Sequence, residues 1–358
     1  MTLPNDISDP GYAAVARQNT LIATWLYIVA GMVLAMIVLG GVTRLTHSGL
    51  SMVEWRPISG WLPPLSETEW RAAFESYKAF PEYKEMNEGM TLRGFKGIFW
   101  LEFLHRLWGR IIGVVFLLPF LIFVLRGWVD RTLGARLAGL FVLGAMQGVL
   151  GWYMVKSGLV DRPDVSQYRL AAHLCLALAI IMALIWVARG LNLASRQTWE
   201  NPDINGVKGL RWAALSLLAL IFLTAFSGAL VAGLDAGLTY NTFPLMDGEW
   251  IPNGMYDMQP TYLNLFENVT TVQFDHRVLA VTTFISIVAF WIVTRRHDLA
   301  GSAALSVHVM LGGVLLQVTL GIITLLLVVP VVAAALHQAV AVILLSAATW
   351  VFRELTPP

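Results

Sequence analysis

Four histidines carry most of the chemistry open to this chain: His105, His173, His276 and His337, each inside a long apolar run. A neutral imidazole offers a metal one lone pair. Two imidazoles on facing helices of a four-helix bundle can clasp an iron porphyrin between them. Zinc or copper also takes histidine, but no cluster of carboxylates or thiols stands near any pair to complete a coordination shell. The single cysteine, Cys175, makes neither an internal disulfide nor a Cys-based metal site and reads as a small core residue. One histidine in a membrane helix is as readily a packed, hydrogen-bonded residue as a ligand. Four at matching positions are not accounted for that way. His47 and His297 fall in loops and His308 has no counterpart, so these read as structural.

Charges accompany two of the four. The first sits in "EFLHRLWGR", residues 102–110, and the second in "FDHR", residues 274–277. Arg106 and Arg277 each follow a histidine near the end of an apolar run. A planar guanidinium there suits a porphyrin propionate, or it reaches to lipid headgroups. Glu102 lies three residues before His105, on the same helical face, and the equivalent place before His276 holds Gln273. Gly144, Gly148 and Gly151, with Gly312, Gly313 and Gly321, suit close approach of a flat macrocycle or ordinary helix packing.

The elements that must position these residues are membrane helices. The chain is 57% hydrophobic and 13% charged, with mean hydropathy +0.67, which excludes an ordinary soluble domain. The net charge of +1 says nothing about nucleic acid, there is no basic tract, and no nucleic-acid partner is expected. Apolar runs able to cross about 30 Å of hydrocarbon cover 21–41, 98–125, 133–154, 169–189, 210–233, 270–294, 303–327 and 331–352. The expected fold is an all-α integral membrane protein of eight transmembrane helices. Arg126, Arg131 and Arg136, then Arg189, Arg196, Lys208 and Arg211, then Arg295 and Arg296 mark the cytoplasmic links. Residues 234–269 contain no Lys or Arg, so both termini are expected in the cytoplasm. The start of the chain lacks the basic region of a secretory signal and the Arg-rich character of a transit peptide. It reads as a cytoplasmic tail, 1–20. The outer loop 42–97 mixes both signs and is expected to form short amphipathic helices on the bilayer surface. The last two spans, separated by little more than Pro330, form a tight hairpin.

The eight spans read as two parallel-repeat four-helix bundles. His105-Arg106 matches His276-Arg277 at an offset of 171, Gln147 matches Gln317 at 170, His173 matches His337 at 164, and Gly49 matches Gly237 at 188. Four spans per half give both halves one orientation, related by an axis along the membrane normal. The expected division is 21–190 for the first half, 191–209 for a cytoplasmic linker and 210–358 for the second. All four histidines then lie in the outer leaflet, two per half.

At "GGVTRLTHSGLSMVEWRPISGWLPP", "EFLHRLWGR" and "FDHR" the chain resembles the heme A synthases, membrane enzymes of bacteria and mitochondria. The likeness runs from the first span through the eighth. It implies oxidation of heme O, a porphyrin methyl becoming a formyl through successive hydroxylations, to supply heme A to a terminal oxidase. It implies that His105 and His173 take the substrate heme O, with Arg106 beside them. His276 and His337 would hold a resident heme b, with Arg277. Some members carry a cysteine pair in the outer loops; this chain has none, which fits the proteobacterial and mitochondrial subgroup. Without a transit peptide the bacterial inner membrane is expected. Heme O synthase would hand over the substrate and an electron-transfer partner would take the electrons, with the chain a monomer or a homo-oligomer. The competing reading is a two-heme cytochrome that only relays electrons. A relay has no clear need of an acid beside one heme alone, whereas oxidising a substrate requires proton removal, so Glu102 is expected to be catalytic. A solute transporter would need a polar path to the inner side, and the sequence offers none.

Overall fold

The computed structural model describes residues 10–54, 60–158, 165–194, 204–299 and 301–357. Helices make up nearly all of it: α1 (Pro10–Leu45), α2 (Glu67–Lys78), α3 (Pro81–Met86), α4 (Leu92–Leu125), α5 (Arg131–Gly158), α6 (Gln167–Ala194), α7 (Ile204–Gly233), α8 (Asn264–Glu267), α9 (Val269–Thr294), α10 (Gly301–Leu326) and α11 (Val331–Glu354). Among the described residues there is no strand, only an isolated bridge between Met246 and Glu249. Eight helices are long and apolar enough to cross a membrane: α1, α4, α5, α6, α7, α9, α10 and α11. They match the eight apolar runs. Most continue past the runs, because a helix does not stop where hydropathy does. Helix α1 begins at Pro10, where proline's fixed φ and missing N–H suit a first turn. Residues 10–20, expected as tail, are therefore its first turns. The tail residues 1–9 and the linker residues 195–203, Arg196 among them, lie outside the described residues.

The bundle has an inner and an outer set. Helices α1, α6, α7 and α11 bury the largest shares of their apolar windows, whereas α4, α5, α9 and α10 bury much smaller shares. The core runs through the inner set, with Leu26, Leu184, Leu217 and Leu345 all buried. The outer helices dock on it. Trp25 and Trp108 tie α1 to α4 by donating their indole N–H groups to the carbonyls of Val115 and Met32, at 2.8 and 2.9 Å. Helix α1 also meets α11 closely: a Cβ at Gly41 would collide with the Gln338 side chain.

At the end of α6 and α11 farthest from their histidines, two "W-V-x-R" turns interlock. The Arg189 guanidinium lies 5.4 Å from the Trp350 ring, and that of Arg353 lies 5.0 Å from the Trp186 ring. Arg189 also pairs with Glu354, and both side chains are buried. Ser302 of α10 donates to the same carboxylate at 3.0 Å.

The loop expected to form short helices contains α2 and α3. Ser66 caps α2 in a full capping box with Glu69. Trp70, Phe74 and Tyr77, at spacing i, i+4 and i+7, bury one face of α2 against Phe95, Phe99 and Phe103 of α4. These helices thus pack on the protein's own α4. The α10–α11 hairpin turns through Val328 and Val329, both with φ near +60°, a strained conformation for β-branched residues.

Candidate functional site

Each core histidine packs against a glycine of the neighbouring helix. A Cβ on Gly40 of α1 would stand 2.8 Å from Cε1 of His105 on α4, and one on Gly151 of α5 would stand 3.1 Å from Cε1 of His173 on α6. The second half repeats this, with Gly228 of α7 at 3.1 Å from His276 on α9 and Gly321 of α10 at 2.9 Å from His337 on α11. Any side chain at these positions would push an imidazole aside. The rings of each half lie close enough for their charges to interact, His105 with His173 and His276 with His337. Gly40 and Gly228 escaped the sequence reading, although they differ by 188, the offset already carried by Gly49 and Gly237. Gly144, Gly148 and Gly312 face nothing within 4 Å, and Gly313 meets Leu344.

Polar atoms around these imidazoles are left over. Nδ1 of His105, His173 and His337 is buried without a partner, as is Oε1 of Gln147 and of Gln317. Gln147 donates to the His173 carbonyl at 3.0 Å, and Gln317 Nε2 stands 3.4 Å from His337 Nε2. Buried polar groups are nearly always satisfied. Facing pairs of glycine-backed imidazoles, with no third protein ligand beside them among the described residues, fit a flat ligand that brings its own metal. Among the described residues no group of three or more His, Cys, Asp or Glu gathers to hold a bare ion.

A family model described as a cytochrome oxidase assembly protein, COX15-CtaA, matches residues 23–349. The chain belongs to the COX15-CtaA family. A protein named heme A synthase from Nitrosospira multiformis is 53% identical over 334 residues, 93% of each chain. Another of that name, from Nitrosomonas eutropha, is 49% identical over 356 residues, 99% of this chain and 98% of its own. A heme A synthase COX15 of Arabidopsis thaliana is 46% identical over 331 residues, 91% of this chain and 72% of its own.

In this COX15-CtaA chain the segment after α1 is strapped to the histidine helix α4. The Glu102 carboxylate, 3% exposed, accepts from Ser51 Oγ at 2.7 Å and from the Met52 N–H at 2.6 Å. It also pairs with Arg106 at 2.5 Å. Arg106 donates onward to the carbonyls of Met52 and Glu54, both at 2.8 Å. The segment after α7 is held the same way. Gln273 donates to the Ala236 carbonyl at 2.8 Å, and Arg277 donates to the carbonyls of Tyr240 and Thr242, both at 2.8 Å. The sequence reading gave the two guanidinium groups to propionates or headgroups. Both spend their terminal nitrogens on loop carbonyls, and Arg277 keeps only its Nε buried and unpartnered. The side chain of Arg106 is 9% exposed, too enclosed for a headgroup contact. Arg44 of the "GGVTRLT" stretch reaches Asp235 at 3.3 Å, joining the ends of α1 and α7.

Proposed function

We propose that this chain is a heme A synthase of a bacterial inner membrane, an oxidoreductase that converts heme O to heme A. The observation that carries this reading is the pairing of glycine-backed imidazoles, one pair per half, with a carboxylate beside only the first pair. His105 and His173 take the substrate heme O, placing the porphyrin methyl that becomes a formyl group. His276 and His337 hold a resident heme b, which when bound supplies a one-electron redox centre. The cations Arg126, Arg131 and Arg136, Lys208 and Arg211, and Arg295 and Arg296, against the stretch 234–269 with no Lys or Arg, support cytoplasmic termini and histidines in the outer leaflet. A heme O synthase delivers the substrate, and a separate carrier takes the electrons.

Arg106 and Arg277 act as positioning residues, fixing the loops that border the two pockets. Glu102 meets two demands: it latches Ser51 and Met52, and it is the group placed to accept a proton as the substrate is oxidised. Glu102→Gln separates the two roles, because Gln273 already latches the equivalent loop without a charge. The variant keeps its fold and its heme b, binds heme O, and fails to complete heme A. Extraction of total heme from membranes followed by chromatography reads the outcome. A normal yield of heme A would remove Glu102 from the chemistry and leave it the latch alone.

A further inference from the structure

We propose that Ser227 sets how firmly the second half holds its heme, acting through His276 as a positioning residue; this rests on the reading of His276 as an axial ligand. Among the four core histidines, His276 differs at Nδ1. Its Nδ1 lies 2.8 Å from Ser227 Oγ, whereas Nδ1 of the other three is buried without a partner. The direction of this bond follows from the serine's own donor. Ser227 gives its hydroxyl hydrogen to the Thr224 carbonyl at 2.8 Å, so its lone pair receives N–H from His276. That fixes the proton on Nδ1 and leaves the Nε2 lone pair for a metal. The serine is 6% exposed, so no bulk water competes for the bond.

A second hydroxyl contact links α7 and α9 beside this bond, joined to Ser227 only through the Thr224 backbone, and the two make a short polar thread. Thr224 Oγ1 donates to the Leu220 carbonyl at 2.8 Å and lies 2.8 Å from Thr283 Oγ1, which therefore donates to it. Thr283 is two turns along α9 from His276 and is buried. Among the described residues, the first half has no such thread. At the offset of 188 that relates Gly40 to Gly228, Ser227 corresponds to Leu39 and Thr224 to Met36. At the offset of 171 that relates the histidines, Thr283 corresponds to Ile112. Two imidazoles with the same glycine backing thus have opposite surroundings, hydrogen-bonded in one half and apolar in the other.

An imidazole that donates to an acceptor is a more basic ligand, which strengthens metal binding. It also favours the more highly charged ferric iron and lowers the reduction potential. The thread therefore suits a heme that stays, and its absence around His105 suits a heme that must leave as product.

The test is redox titration of the low-spin heme in the purified full-length protein, with its visible spectrum. Ser227→Ala is expected to lose about tenfold in ferric over ferrous preference. That equals a rise of about 59 mV in midpoint potential for a one-electron couple. Ser227→Thr, which restores the hydroxyl, should return the potential to that of the unmodified protein. Ser227→Cys, nearly isosteric with a weak sulfur acceptor, should fall between and serves if the alanine variant does not fold. His276→Ala is measured beside them. Loss of the low-spin spectrum in His276→Ala with unchanged potentials in the Ala and Cys variants would overturn the role of Ser227 alone. A low-spin spectrum retained in His276→Ala would overturn the ligand assignment and this proposal with it.

Discussion

At the scale of single residues, the four glycines matter as much as the four histidines. A ligand ring held against a Cα has fewer rotamers to choose from, so part of its ordering cost is met before a heme arrives. Gly321→Ala would put a methyl 2.9 Å from Cε1 of His337, closer than a fixed ring tolerates. We expect this substitution to weaken heme retention in the second half by about 10–100-fold, the usual effect of disturbing a ligand's support. The check is the heme-to-protein ratio after purification; an unchanged ratio would show that His337 can move freely. The histidines were legible in the sequence because imidazole is rare in lipid. Of the glycines, Gly151 and Gly321 were singled out without their partners and Gly40 and Gly228 were missed, because glycine is common in membrane helices and only the partner across the contact gives it meaning. The arginines were legible as charges beside the histidines, but the loop carbonyls they bond were not. Arg277 bonds carbonyls more than 30 residues away, and carbonyls carry no side-chain signature. Arg277→Leu should cost about 1.5–3 kcal/mol, the worth of a hydrogen bond to a charged group. Arg277→Lys should recover only part, lacking the planar fork. Thermal unfolding in detergent reads both, and an unchanged Tm for the leucine variant would show the loop holds without it.

At the scale of elements, hydropathy located all eight membrane helices but not their ends. Helix α6 runs past the apolar stretch to Ala194, and Arg189, the last residue of that stretch, pairs with Glu354. That buried pair was not foreseeable, since the sequence marked Arg189 only as a cytoplasmic charge. Breaking a buried pair by removing one partner typically costs 3–5 kcal/mol, because the other charge is left uncompensated. Glu354→Ala should therefore lower stability by about 3–5 kcal/mol, a large part of a domain's total. Denaturant or thermal unfolding monitored by tryptophan fluorescence tests this. A loss under about 1 kcal/mol would mean that Arg189 behaves as an exposed pair. That the outer loop forms short helices was legible from its mixed charge, but the cap and the aromatic spacing of α2 came only with the structure. Its docking on α4 was not legible either, because an apolar face does not say whether lipid or protein covers it.

At the scale of the whole molecule, each half contributes one inner and one outer helix to its histidine pair, and the inner helices pack against each other. Helices α6 and α11 each carry a histidine toward one end and an interlocked Trp-Arg turn toward the other. The two candidate heme pockets are thus mounted on one shared core. The halves differ at Glu102 against Gln273 and at Leu39 against Ser227, where the proposed division of labour calls for a difference. Both differences are visible in the sequence once the offsets are known, but their direction needs the contacts. The central claim is a division of labour, substrate heme in the first half and resident heme in the second. The most direct test is chromatographic identification of the hemes that copurify with the double variant His105→Ala, His173→Ala, expressed where heme O is made. The account predicts heme b retained near the level of the unmodified protein, with no bound heme O and no heme A formed. Loss of heme b, or continued formation of heme A, would contradict it.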